Sequence, residues 1–205
     1  MIQYALGIMG CGKTLYTILY ALRWLSLNPD CKIYANLHIN LPNAVYTPYM
    51  YMPYDKLGKC LIICDDFYTL ANLKGFITVM VNMSRKNDIT IILTAQYYTM
   101  IPPAIRKISQ YEVQCQYNKT SDILLFGLID LDGMIDFNYV QDAVKLAKDI
   151  YNTNEVVSIP TLKDIAREII KYSHSEKDFD INLELYSSSE SKRNTMRKII
   201  RDLLL

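Results

Sequence analysis

Several things are scarce in this sequence. Glycine occurs seven times in 205 residues while tyrosine occurs 17 times. That bulky composition fits a stable, heat-adapted chain and an AT-rich coding bias. Charge of either sign is not in surplus: Lys and Arg total 22, Asp and Glu total 21, and the formal net charge is +1. A surface coated in basic residues is excluded, so contact with a polyanion requires a local patch or a pore. No apolar run approaches the roughly 20 residues that span a bilayer, and no integral membrane segment is expected. The most apolar candidate, Leu15 to Leu27, is interrupted by Arg23 and Trp24. The chain enters an apolar strand almost at once, so no leader peptide is expected. Five cysteines (Cys11, Cys31, Cys60, Cys64 and Cys115) include no C-x-x-C pair. Zinc knuckles, redox dithiols and a closed disulfide set are disfavoured, and a reducing, cytoplasmic compartment is expected.

What is present is ordinary in bulk and specific in detail. Half the residues are hydrophobic and about a fifth are charged, as in a soluble globular domain. Short apolar runs at Ile2–Ile8, Lys32–Ala35, Cys60–Cys64 and Ile89–Ala95 predict strands covered on both faces. Leu15, Ile18, Leu19, Leu22 and Leu25 recur at helical spacing between the first two, and Asn28-Pro29 ends that helix. A second helix is predicted over Tyr68 to Asn82. Asn36 to Lys59 is punctuated by prolines and is expected to be irregular. Tyr111–Tyr117, Ile123–Asp130 and Met134–Val140 read as strands, the last two joined by an Asp132-Gly133 turn. Helices are expected over Gln141–Tyr151, over Pro160–Tyr172 with Thr161 as N-cap, and over Glu190–Leu205. The predicted class is α/β, with a mainly parallel central sheet, antiparallel strands at one edge and a helical C-terminal region. Residues 1–151 form the expected core and 152–205 a helical appendage, either separate or part of the same domain.

Gly7, Gly12, Lys13 and Thr14 fit G-x-x-x-x-G-K-[ST], placed between a predicted strand and a predicted helix. Glycines let backbone N–H groups curl round a β-phosphate, and the helix dipole adds positive potential. Lys13 supplies charge to the β- and γ-phosphates, and Thr14 a hydroxyl to Mg²⁺. The residues expected to line a bound nucleotide are Gly7, Gly10, Cys11, Gly12, Lys13, Thr14 and Leu15.

"CLIICDDF" ends an apolar strand with Asp65 and Asp66, where a phosphate-loop protein keeps its Mg²⁺ acid. Asp65 is the expected metal acid and Asp66 the base that orients water. Two motifs are missing. "YNKTSD" puts its Asp one place too late for a guanine-reading N-K-x-D, and no arginine-rich lid of a small-molecule kinase is evident. "DITIILTAQYY" closes the next strand with Gln96, an amide able to bond water and phosphate together.

The phosphate loop, the Asp65-Asp66 pair and Gln96 together resemble the HerA/FtsK superfamily of DNA-pumping ATPases. "KIYANLHI", "MSRKNDITIILTAQ" and "IPPAIRKI" strengthen the resemblance, which covers roughly residues 1 to 130. It implies a RecA-like P-loop fold with the Gln96 strand between the acid strand and the phosphate-loop strand. It also implies ATP and Mg²⁺ as ligands, with Thr14 and Asp65 at the metal, Asp66 as catalytic acid and Gln96 as sensor. The family more often has Glu at the position of Asp66, which is one methylene shorter. Size and composition are most like the packaging ATPases of archaeal viruses. The implied function is translocation of double-stranded DNA into a capsid by a homo-oligomeric ring, a hexamer or pentamer, with capsid or portal-vertex proteins as partners. The implied place is the host cytoplasm at the assembling virion. The alternatives are a Zot-like virion-extrusion ATPase and a nucleotide-dependent binding protein with little turnover.

Ring motors complete each site with a neighbour's arginine. Arg85 is the first choice and Arg106 the second; Lys74 is a candidate pore residue. Tyr46, Tyr49, Tyr51 and Tyr54, set among Pro48 and Pro53, are read as a rigid covering loop. The C-terminal helix pairs Lys192, Arg193, Arg197, Lys198 and Arg201 with Ile199, Ile200, Leu203 and Leu204. It suits docking, DNA, an anionic surface or a neighbouring subunit.

Overall fold

The computed structural model describes residues 1–67, 87–152 and 161–205. The expected helix over 68–82, Lys74 and Arg85 lie outside the described residues. The strands are β1 (Ile2–Leu6), β2 (Lys32–Ala35), β3 (Ala44–Tyr46), β4 (Cys60–Cys64), β5 (Ile89–Ala95), β6 (Tyr111–Asn118), β7 (Ile123–Asp130) and β8 (Ile135–Val140). The helices are α1 (Lys13–Leu27), α2 (Pro103–Arg106), α3 (Ala143–Ala147), α4 (Leu162–Tyr172), α5 (Glu176–Tyr186) and α6 (Glu190–Leu204).

All eight strands form one sheet in the order β3-β2-β4-β5-β1-β6-β7-β8. Every pairing is parallel except β6–β7 and β7–β8. Thus β5 lies between β1 and β4, as the resemblance implies. The continuous apolar strands β4 and β5 are buried along their whole length because helices or ordered loops cover both faces.

One face carries α1, whose Leu15, Ile18, Ala21, Trp24 and Leu25 are buried against it. The helix ends where Asn28 folds back, its Nδ2 donating to the Trp24 carbonyl at 2.8 Å, and Pro29 follows. Short α3 continues this layer over β6 and β7. It is shorter than the predicted 141–151 helix, because Asp142 takes a left-handed conformation and starts it late.

The other face is covered by residues 50–57 and by α4–α6. Tyr51, Tyr54, Ile169, Leu183, Met196 and Ile200 bury into one cluster with Tyr4, Ile62 and Leu93 of the sheet. The C-terminal helices therefore share the core of the phosphate-loop sheet. Buried Asn182 ties the layers together: it accepts from the Met52 backbone N–H and donates to the Met52 carbonyl and Ser173 Oγ.

Two local expectations change. The 36–59 stretch is ordered, with β3 inside it and a 3-10 turn at Tyr54–Lys56. Its aromatic segment covers core as read: Tyr51 and Tyr54 are buried. Helix α5 was not anticipated in the polar run "SHSEKDFD". Its signal is an N-cap, Ser175 Oγ accepting from the Asp178 backbone N–H at 3.1 Å. Thr161 and Asp164 form the reciprocal capping box of α4.

Candidate nucleotide site

Strands β1, β4 and β5 end together, and the site stands on those ends. Leu6 pairs with Ala95, so Gly7 and Gln96 are the next residues on adjacent strands. Cys64 pairs with Leu93, which brings Asp65 beside Thr94.

The loop from Gly7 to Gly12 is shaped by its glycines. Gly7, Gly10 and Gly12 have φ of 147°, 81° and 99°. A Cβ on Gly12 would lie 2.6 Å from Leu124 Cδ1 and 3.1 Å from Tyr117 Cβ. Space as well as conformation therefore demands glycine there. A Cβ on Gly7 would meet Cys11 Sγ at 2.3 Å, so the Cys11 side chain fills the room that this glycine leaves. Lys13, nearly buried, donates from Nζ to the Gly7 carbonyl at 2.7 Å and the Ile8 carbonyl at 3.1 Å. Its charge is held inside the loop. Leu15 is buried under the loop in the α1 layer.

Asp65 is the hub. Thr14 Oγ1 donates to its two carboxylate oxygens at 3.2 and 3.0 Å, and Thr94 Oγ1 donates to Oδ1 at 2.7 Å. Asn36, just past β2, clamps its backbone. The Asp65 N–H donates to Asn36 Oδ1 and Asn36 Nδ2 donates to the Asp65 carbonyl, both at 2.7 Å. Burial pushes the Asp65 carboxyl up from its ordinary value, and Asp66 adds to this; Thr94, Thr14 and Lys13 oppose it. A cation at the carboxylate would favour the ionised form. Two hard oxygen donors, the Thr14 hydroxyl and the Asp65 carboxylate, fit Mg²⁺.

Asp66 turns sharply off the strand with φ of 42°. Its N–H donates to Thr94 Oγ1 at 2.8 Å. One hydroxyl thus fixes the backbone of the second acid and the carboxylate of the first. Sequence reasoning singled out Gln96 at this strand end and assigned nothing to Thr94 or Asn36. Their signals were a hydroxyl residue at the end of an otherwise apolar strand and an Asn closing β2. Gln96, half-buried, follows directly at the end of β5. Arg106 lies with its guanidinium carbon 4.0 Å from the centroid of the Tyr98 ring, stacked on the segment that follows Gln96.

The sheet order and the loop define the class: a RecA-like P-loop NTPase fold. No protein-family model and no curated protein matches the sequence. Solved structures do match. The genome packaging NTPase B204 of Sulfolobus turreted icosahedral virus 2, in complex with ATP-gammaS, superposes with a TM-score of 0.50 at 13% identity, over 67% of this chain and 96% of that one. The ATPase domain of a helicase gives a TM-score of 0.50 at 11% identity, over 75% and 84%. The N-terminal domain of zonular occludens toxin from Neisseria meningitidis gives 0.49 at 15% identity, over 77% and 94%. At these identities the likeness is one of fold. Among the described residues no helix is long and apolar enough to cross a membrane.

Proposed function

We propose that this chain is an ATP-hydrolysing motor that moves double-stranded DNA into a viral capsid, working as a ring of its own copies in the host cytoplasm. The observation that carries the reading is Asp65, held between Thr14 and Thr94 where β5 inserts between β1 and β4. The fold shared with a viral genome packaging NTPase supports it.

Each residue then has a task. The loop N–H groups and Lys13 bind the β- and γ-phosphates. Thr14 and Asp65 hold Mg²⁺, which neutralises phosphate charge when bound. Asp66 orients the attacking water, and Gln96, level with Gly7, senses the γ-phosphate. An arginine of the neighbouring copy, Arg85 first and Arg106 second, completes the site. Capsid or portal-vertex proteins are the docking partners.

The test is steady-state ATPase activity with and without duplex DNA, on the wild type, Lys13→Ala and Asp66→Asn. The expected result is DNA-stimulated turnover that falls by about 100-fold or more in both variants. Undetectable hydrolysis by assembled wild-type protein overturns the reading. Turnover indifferent to DNA but raised by membranes or coat protein turns it toward virion extrusion.

A further inference from the structure

The sheet is covered unevenly. On the α1 side, β6–β8 are packed by α1 and α3. Their opposite side has no such layer among the described residues. Leu125, Ile135 and Tyr139 stand exposed there, and Phe137 is 79% exposed. Leu131 and Met134 extend the strip round the hairpin turn. Gly127 sits under Ile135 and Phe137, so the two side chains lie across a smooth floor. β8 is also an edge strand, with one row of backbone groups unpaired by any described strand. A contiguous exposed apolar strip of this kind marks a contact surface.

The strip has one sign of charge. Residues 120–144 contain Asp122, Asp130, Asp132, Asp136 and Asp142 and no Lys or Arg. Asp130, Asp132 and Asp136 frame the hairpin and have no basic partner among the described residues. That charge disfavours nucleic acid and anionic lipid. It also disfavours pairing of the hairpin with its own copy, which would set acid against acid.

Helix α6 offers the complement. Arg193 and Arg197 are engaged by Glu190, and Arg197 also by Asp180. Lys198 and Arg201 are exposed with no carboxylate partner among the described residues. Leu204, 67% exposed, lies one turn beyond Arg201 on the same side.

We infer that the β7–β8 hairpin of one copy docks on the Lys198–Arg201–Leu204 face of α6 in the next. Asp132 and Asp136 meet Lys198 and Arg201, and the apolar strip covers Leu204. The contact joins unlike surfaces, so it propagates head to tail and closes into a ring. It rests on the ring in the function proposed above, but it is read without nucleotide, so loss of ATPase activity alone leaves it standing.

Sedimentation velocity at graded protein concentration tests it. The wild type is expected to form a species larger than a dimer, weakened by salt. Asp132→Lys/Asp136→Lys and Lys198→Glu/Arg201→Glu are each expected to weaken association by more than about tenfold. Mixing the two variants restores it, because each then offers the complementary charge. Phe137→Ser, at a site whose exposure spares the fold, is expected to weaken it as well, with unchanged circular dichroism. A monomeric wild type, a species that stops at a dimer, or a mixture that fails to associate overturns the inference. So does an α6 variant that loses duplex DNA binding while associating normally.

Discussion

Thr94 Oγ1 donates to Asp65 Oδ1 at 2.7 Å while accepting the Asp66 N–H at 2.8 Å. The two acids are therefore not independent: a fully buried hydroxyl on the neighbouring strand sets both. Thr94→Val keeps the shape and removes the hydroxyl. It leaves the Asp66 N–H without its partner, a loss of about 1–3 kcal/mol in stability. Turnover is expected to fall by about 10–100-fold, as for other positioning groups behind a metal ligand. Thr94→Ser should restore most of both. Denaturant melts and ATPase rates on the three proteins decide it, and a Ser variant as poor as Val removes the hydroxyl from the account.

Asn36 carries two hydrogen bonds of 2.7 Å to the Asp65 backbone. Asn36→Ala breaks both and frees the end of β4. The expected cost is about 2 kcal/mol, at roughly 1 per bond. Mg²⁺-dependent nucleotide affinity, followed with a fluorescent ATP analogue, is expected to drop along with the melting midpoint. Equal affinity at lower stability would make Asn36 a strand clamp only.

How far the sequence spoke depended on the range of the interaction. The apolar runs of β1, β4 and β5 and the helical spacing of α1 are local patterns, and each element forms where the pattern lies. The phosphate loop and Asp65 were legible because their chemistry is written in contiguous residues. Thr94 and Asn36 were not, because their partners are 29 positions away across strand register. α5 was hidden by its composition: Glu176, Lys177, Asp178 and Asp180 mask the inward Leu183 and Leu185. β3 was hidden by brevity, three residues between proline-bearing turns.

Gly12 is confined twice, by φ of 99° and by Leu124 Cδ1 at 2.6 Å from where a Cβ would stand. Gly12→Ala is expected to abolish measurable ATP-analogue binding. Adding Leu124→Ala opens the space but leaves the left-handed strain of about 1–2 kcal/mol. The double variant should therefore recover binding only in part. Full recovery would show that sterics alone demand glycine.

Ile169, Leu183, Met196 and Ile200 share one buried cluster with Tyr4, Ile62 and Leu93. Deleting residues 161–205 uncovers that face of β1, β4 and β5. The truncated chain is expected to be insoluble or to lack a cooperative melt. Within the full chain, Asn182→Leu leaves the Met52 backbone groups unpaired and should cost about 1–3 kcal/mol. A single calorimetric transition in the full chain, shifted as a whole in the variant, checks both. Two separate transitions would mean that the helices fold apart from the sheet.

Several carboxyls are held below their ordinary range. Asp122 is lowered chiefly by the Val144 N–H, then by Lys145 N–H and Tyr117 Oη. Asp164 is lowered by the Thr161 side chain and backbone, and Asp55 by Lys177 Nζ. Glu190 is lowered by Arg193. In each case the unfolded chain, with carboxyls near about 4, binds protons that the folded chain refuses. The stabilisation is complete above that value and is lost as pH falls through the depressed folded values. The urea midpoint should therefore be level near neutrality and decline below about pH 4. Asp122→Asn keeps an acceptor for the α3 N–H groups but cannot titrate. Its acid limb should be shallower than that of the wild type; an unchanged limb would place the acid sensitivity at the other three carboxyls.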